Sequence, residues 1–512
     1  MKPLDKDFKF VVLGAGTAGL LTALFIKNRF PETSVTVIQS SEIGVIGSGE
    51  GTTPGFKRMM EFLNIPLADV FKHADATFKS AIKFSNWKGD GSYYYHGFLS
   101  SYEDASYSPG GFLRSEYNLM TLDAIRTQQS IDCINFPALI CEEKLSPLCS
   151  DQGFPIGDHA FGLHFNAVKL AQYLSTVAID RGITIVDNVV QKINFNDDDE
   201  VVGISCKEDN TYVECDFLFD CSGFSRLVIG KHYNSEWCSY KHVIPNDKAL
   251  PFFIDIDDDY APQTEAIAME HGWVWKIPTK NRYGCGYVFS SEYTNADNVK
   301  KEILEKFGDK VHFPRDEPFK FEAGCYKETW KKNCIAVGLS SGFIEPLEAT
   351  SLMLLISSLF KFMYLLRGLT DKDQKSIDTY NQHVYSSNKE ILEFILLHYL
   401  SRKGHNNYWD SFFEVDCDKE EFKSISTIKK LDGLVPSELE IEGDVFAYHS
   451  YIEVSSGIGL YDPEKVDKLY RSLMVGVRQL EYDELLDVLE KGTYRAINKL
   501  MNHKKAVEIM SS

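Results

Sequence analysis

The segment that most constrains this chain is its opening strand, turn and helix. Phe8 to Leu13 reads as a buried parallel strand, and Gly14-Ala15-Gly16-Thr17-Ala18-Gly19 follows it directly. Leu20 to Asn28 then reads as a helix and Val35-Thr36-Val37-Ile38 as a second strand. A glycine-rich turn between a strand and a helix, closed by a second strand, is a βαβ unit that holds a dinucleotide. Each glycine has its own task. Gly14 permits the tight turn, Gly16 lets the backbone approach a pyrophosphate, and Gly19 allows close packing of helix on strand. The helix N-terminus attracts the anion. Gly14, Gly16, Ala18 and Gly19 are the expected contacts. An acid is expected about 20 residues further on, to bond the ribose. Gln39 stands there instead. Either its amide or the nearby Glu42 would serve.

Further along, Ile185 to Val213 alternates apolar and polar residues around Asn196-Asp197-Asp198-Asp199, which reads as a hairpin with a solvated turn. Asp216-Phe217-Leu218-Phe219-Asp220-Cys221-Ser222-Gly223 reads as another buried strand ending in a glycine turn. Cys334 to Val337 is one more strand, followed by Gly338-Leu339-Ser340-Ser341-Gly342. The final ~150 residues read as mainly helical on apolar periodicity. Ile391, Phe394, Ile395 and His398 share one face there, and Asp462-Pro463-Glu464 marks a helix start. The expected division is 1–370, α/β with a mixed sheet, and 371–512, a mainly helical subdomain.

Composition narrows the function. The 512 residues carry a net charge of -20, which repels phosphate backbones and argues against a nucleic-acid partner. Met1-Lys2-Pro3-Leu4-Asp5 runs straight into a strand with no signal peptide, and the apolar run Leu352 to Leu366 is interrupted by Ser357, Ser358 and Lys361. A cytoplasmic protein with no membrane span is expected. Eleven scattered cysteines with no Cys-x-x-Cys pair suit reduced thiols rather than a metal site.

The remaining motifs carry the chemistry. They are Gly47-Ser48-Gly49-Glu50-Gly51-Thr52-Thr53-Pro54, Phe78-Lys79-Ser80-Ala81-Ile82, Tyr93-Tyr94-Tyr95-His96-Gly97-Phe98, Gly272-Trp273-Val274-Trp275-Lys276-Ile277-Pro278, and Glu345-Pro346-Leu347-Glu348-Ala349-Thr350-Ser351. In this order, behind the dinucleotide fingerprint, they resemble the flavin-dependent halogenases over most of the chain. The resemblance implies a Rossmann-like FAD-binding domain of the flavin monooxygenase type. It implies FAD, received as FADH2 from a separate NAD(P)H flavin reductase, and a halide ion. It places Gly49 and Glu50 beside the flavin, with Asp220 and Gly338 as further cofactor positions.

The resemblance makes Lys79 the lysine that receives hypohalous acid, by hydrogen bonding or as a haloamine, and hands the halogen to an aromatic substrate. Lys83 is a less specific basic position. Glu348 maps to the catalytic carboxylate, which polarises the oxidant or accepts the proton released on rearomatisation. The backbone amides of Thr350 and Ser351 would hold halide. Trp273, Trp275, Ile277 and Pro278 would line the passage of the oxidant, the two indoles facing the same way because they are two residues apart. His96 and Phe98 would sandwich the arene.

Each residue also has a plainer reading. Lys79 would be a surface lysine on a strand, Glu345 and Glu348 helix-start acids, the tryptophans core, and His96 a satisfied structural histidine. Beyond residue 415 the resemblance fades, and Tyr448, Tyr451 and Glu453 are only candidates for gripping an amino-acid head group. The expected substrate is therefore an indole or phenol, with chloride, bromide or iodide. A homo-oligomer stays open. An aromatic monooxygenase or a non-catalytic flavin-binding protein on the same fold are the alternatives. Gly338-Leu339-Ser340-Ser341-Gly342 also matches a hydrolase nucleophile elbow, which a flavin-type βαβ opening makes a chance match.

Overall fold

The computed structural model describes residues 4–42, 50–98, 122–127, 135–149, 160–419, 422–430, 445–446, 448–474 and 497–512. The chain gathers into two compact units of three segments each. Met1–Ala76, Phe165–Asp247 and Phe319–Lys389 form the first, and Thr77–His164, Lys248–Pro318 and Glu390–Ser512 the second. The expected boundary after residue 370 falls inside the first unit. Parallel strands need long crossovers, so the chain leaves the first unit and returns to it twice.

The first unit is built on one six-stranded sheet. Its order is Trp330–Lys331, Cys334–Ala336, Phe217–Asp220, Lys9–Leu13, Ser34–Gln39 and Thr184–Asp187. All neighbours are parallel except the first pair. Phe10, Val11 and Val12 are fully buried, as befits a strand covered on both faces. The first helix runs from Thr17 to Arg29, three residues earlier than its apolar pattern suggests. It starts on Gly16 with no capping side chain, so no Ser, Asp or Asn marks its start in the sequence. The expected hairpin is Val190–Phe195 against Val201–Cys206, with Asn196 Oδ1 accepting from the amides of Asp198 and Glu200 in the turn. Thr184–Asp187 joins the main sheet instead of that hairpin.

The second unit has a large, mostly antiparallel sheet. It runs Val311–His312, Lys248–Asp255, Arg282–Phe289, Gly272–Pro278, Gln263–Ala268, Ala81–Ser85 and Tyr93–Gly97. Its core includes Leu250, Phe252, Val274, Tyr287 and Phe289, covered by Val299 and Ile303 of the helix Ala296–Phe307. A short strand, Thr77–Lys79, pairs antiparallel with Gly162–Phe165. The C-terminal part is mainly helical, as its periodicity indicates, and Ile391, Phe394, Ile395 and His398 are all buried. A short strand, Leu500–Asn502, interrupts it by pairing with Leu145–Cys149. Among the described residues no helix is long and apolar enough to cross a membrane.

Candidate active site

In the first unit, strand register collects the expected cofactor residues along one edge. Leu13 pairs with both Asp220 and Ile38, and Asp220 pairs with Ala336. The turns that follow these strands therefore lie side by side at the carboxyl edge of the sheet, where open α/β folds bind ligands. Gly14 has φ +105°, and a Cβ there would lie 2.5 Å from the Cys221 carbonyl oxygen. A Cβ on Gly19 would lie 1.9 Å from the Gly14 carbonyl oxygen. These two glycines serve backbone packing. A Cβ on Gly16 would meet nothing within 4 Å, so the backbone there faces open space. Gly338, at φ +68°, packs against Ala18, where a Cβ would come within 2.9 Å. Gln39 ends its strand half-buried, and Glu42 is exposed.

Asp220 is fully buried and both carboxylate oxygens are engaged. One accepts from the Ser222 amide and hydroxyl, the other from the amides of Val228 and Ile229. Its work is to hold the turn that presents Gly223, which has φ +62° and open space around it. Ser340 is buried and donates to the Gly223 carbonyl at 3.3 Å, which suits a turn residue and not an exposed nucleophile. The fit to a dinucleotide is good. The first helix has no side-chain cap, and the buried Thr17 hydroxyl at its start has no partner among the described residues. Both would meet a pyrophosphate. Gly49 lies outside the described residues, and Glu50 opens the two-residue strand Glu50–Gly51.

The same unit carries the acidic motif. Glu345 and Glu348 are both buried, and the Glu345 carboxylate accepts from the Asn246 amide at 2.9 Å. Ala349 adopts a left-handed conformation, φ +55°, and starts the helix Thr350–Tyr364 without a capping side chain. The first turn of this helix, at Thr350 and Ser351, therefore has no side-chain cap, and a helix N-terminus attracts anions.

In the second unit, Lys79 is fully buried and its ammonium lies 5.1 Å from the centre of the Phe98 ring. The backbone fixes this proximity, because the Phe98 amide donates to the carbonyl of Ser80, next to Lys79. Lys83, four residues on, has a 17% exposed side chain and pairs with Glu142 at 3.2 Å. The plain surface reading thus belongs to Lys83. His96 is buried near Phe394 and Phe446, with ring centroids 5.4 and 6.4 Å away.

Between His96 and Phe98, the Gly97 amide donates to Glu453 at 3.0 Å, and Asn135 donates to the other Glu453 oxygen at 2.7 Å. A Cβ on Gly97 would meet Asn135 at 2.7 Å. Glu453 therefore holds the strand that carries the two rings. That role was not readable from sequence, where it stood as a head-group candidate.

Trp273 and Trp275 face the same way, with ring centroids 6.2 Å apart. Both indole N–H groups are buried without an acceptor among the described residues. An unpaired buried donor costs about 1–3 kcal/mol, so two together mark a place suited to a polar visitor. Ile277 and Pro278, on the same strand, are buried as well. Trp275 lies across Gly286 on the neighbouring strand, where a Cβ would fall 2.1 Å from the indole. A glycine inside a strand pattern gives no sequence sign of such a seat. Gly286→Ala should displace the ring and cost about 1–3 kcal/mol by overpacking. Urea denaturation and indole fluorescence would check this, and a variant unchanged in both would show that the ring does not depend on the seat.

Comparison with known proteins finds matches along most of the chain. The family model described as tryptophan halogenase matches residues 9–474. The 7-chloro-L-tryptophan 6-halogenase KtzR of Kutzneria sp. (strain 744) is 30% identical over 425 residues, covering 78% of this chain and 80% of that protein. Xcc4156, a flavin-dependent halogenase from Xanthomonas campestris, has a similar fold, with a TM-score of 0.84 at 23% identity over 98% of each chain. BrvH, a flavin-dependent halogenase from Brevundimonas sp. BAL3, gives a TM-score of 0.81 at 26% identity, over 98% of this chain and 99% of that one.

Proposed function

The chain belongs to the tryptophan halogenase family, and from that premise we propose that it halogenates a simple indole or phenol through hypohalous acid captured at Lys79. It is an FADH2-dependent halogenase that uses FAD and halide and acts with a separate flavin reductase on a small aromatic substrate. The observation that carries the finer reading is the burial of Lys79 beside Phe98. A buried ammonium next to an aromatic ring is poorly placed for a surface role and well placed to deliver halogen to an arene. On this reading the cytoplasm, where thiols stay reduced and NAD(P)H feeds the reductase, is its compartment.

When bound, reduced FAD with oxygen and halide supplies hypohalous acid. The residues do the rest. The first-turn amides of Thr350 and Ser351 hold halide. Trp273, Trp275 and Ile277 exclude the arene from the cofactor while a small oxidant passes. Lys79 retains the oxidant by hydrogen bonding or as a haloamine, so that it does not diffuse away. Halogen adds to the ring carbon, the ring proton leaves, and water is the other product. Glu348 is the carboxylate that polarises the oxidant or takes that proton. His96 and Phe98 hold the ring flat, each aromatic pair adding about 0.5–1.5 kcal/mol beyond burial.

Such contacts grip a ring and not a head group, and the Glu453 carboxylate is engaged by Gly97 and Asn135. Free L-tryptophan should therefore react no better than indole. Competition at matched concentrations tests this. A strong preference for L-tryptophan, lost when its amine or carboxylate is removed, would contradict it.

A further inference from the structure

Two buried histidines flank the lysine strand, and the activity proposed above uses neither. His164 sits directly opposite Thr77 across the strand pair, two pairs along from Lys79. Thr77 and Lys79 are two residues apart and so share a face. Opposite Lys79 is Gly162, which offers no side chain. The lateral neighbour of the lysine on that face is therefore the Thr77–His164 pair. His503 caps the other edge of the strand. Its Nε2 accepts from the Phe78 amide at 3.2 Å, and its Nδ1 lies 3.0 Å from the Tyr260 carbonyl.

Hydrogen-bond arithmetic fixes the direction of the His164 chain. The Thr77 hydroxyl donates its single proton to the Pro278 carbonyl at 2.7 Å. Toward His164 Nδ1, 3.2 Å away, Thr77 therefore has only lone pairs to offer, and Nδ1 must carry the proton. In a neutral ring Nε2 is then an acceptor, and the Thr264 hydroxyl, 2.9 Å away, donates to it. Complete burial, with the charge of Lys79 nearby, holds the His164 pKa well below the usual histidine value, which favours the neutral ring. The proton order is Thr264 to His164 to Thr77 to Pro278. This chain joins the lysine strand to the end of the strand that carries Trp273, Trp275 and Ile277.

We propose that His164 is a positioning residue for Lys79, fixing the lysine strand to the Trp273–Pro278 strand through this one-way hydrogen-bond chain. The inference rests on the reading of Lys79 given above. A neutral ring here supports the ammonium without repelling it, and the fixed strand keeps the ammonium where oxidant arrives. The loss of His164 should therefore show as escape of oxidant and not simply as lower activity.

The test uses the full-length chain with FAD, a flavin reductase, NADH, bromide and indole. Bromoindole is measured against free hypobromous acid trapped by a soluble 1,3-diketone. His164→Phe keeps the ring and loses both hydrogen bonds. Thr77→Val keeps the shape and loses the link. Each should raise the ratio of trapped to delivered bromine by roughly tenfold to a hundredfold, the scale on which a misplaced reacting group acts, while total oxidant stays near wild type. His164→Asn, which retains a donor near the Nδ1 position, should move the ratio back. A merely structural role would lower the melting temperature and the total without moving the ratio.

An unchanged ratio in folded, flavin-binding His164→Phe overturns the proposal. If that variant does not fold, an unchanged ratio in Thr77→Val does so. Lys79→Ala in the same assay separates the two readings. If it delivers bromine like wild type, the role of Lys79 fails. If it leaks and His164→Phe does not, only the positioning role fails.

Discussion

Lys79→Ala is expected to bind FAD and consume oxygen and halide, yet form no aryl halide once free hypohalous acid is scavenged. Lys79 is fully buried with its ammonium over Phe98, whereas Lys83 is spent on a partly exposed ion pair with Glu142. Lys83→Ala is the control, and it should keep activity, since such pairs contribute little. Flavin binding should survive Lys79→Ala because the glycine turns that suit the cofactor belong to the first unit. Product analysis by mass spectrometry, with a scavenger present, measures the effect. Aryl halide formed by folded, flavin-replete Lys79→Ala at near wild-type rate would remove Lys79 from the mechanism.

Glu348→Gln should lower turnover by about two orders of magnitude, the usual scale for losing an acid–base group, with flavin binding unchanged. Its neighbour Glu345 accepts a hydrogen bond from the Asn246 amide. Glu345→Gln should mainly disturb that hydrogen bond, lowering stability by about 0.5–1.5 kcal/mol. Steady-state rates and denaturation curves for the pair decide between them. If Glu345→Gln is the damaging change and Glu348→Gln is silent, the carboxylate is wrongly assigned.

The sequence carried the parts of the fold that are encoded locally. The Gly14–Gly19 turn is legible because Gly14 and Gly19 are demanded by backbone contacts within the turn and with the neighbouring turn at Cys221. The shared face of Trp273 and Trp275 follows from the two-residue period of a strand. Strand order is another matter. Lys9–Leu13 lies between Phe217–Asp220 and Ser34–Gln39, and no local pattern says that a strand 200 residues away will be the neighbour. The same non-local pairing explains why the compact units each take three segments. At the site, residue types were legible and their partners were not. Asp220 was readable as a cofactor position, but not as the carboxylate that pins its own turn. Glu453 was readable as a candidate for gripping an amino-acid head group, but not as the acceptor for Gly97. His164 gave no signal at all, because a histidine in a short apolar run looks like any satisfied core residue.

The most direct test is halide dependence of the product. The chain is supplied with FAD, a flavin reductase, NADH, oxygen and indole, with and without bromide, and the products are identified by mass spectrometry. Bromoindole is expected only with bromide, with flavin oxidation but no organic product when bromide is left out. Hydroxylated indole formed equally well without halide would contradict halogenation and identify the chain as an aromatic monooxygenase.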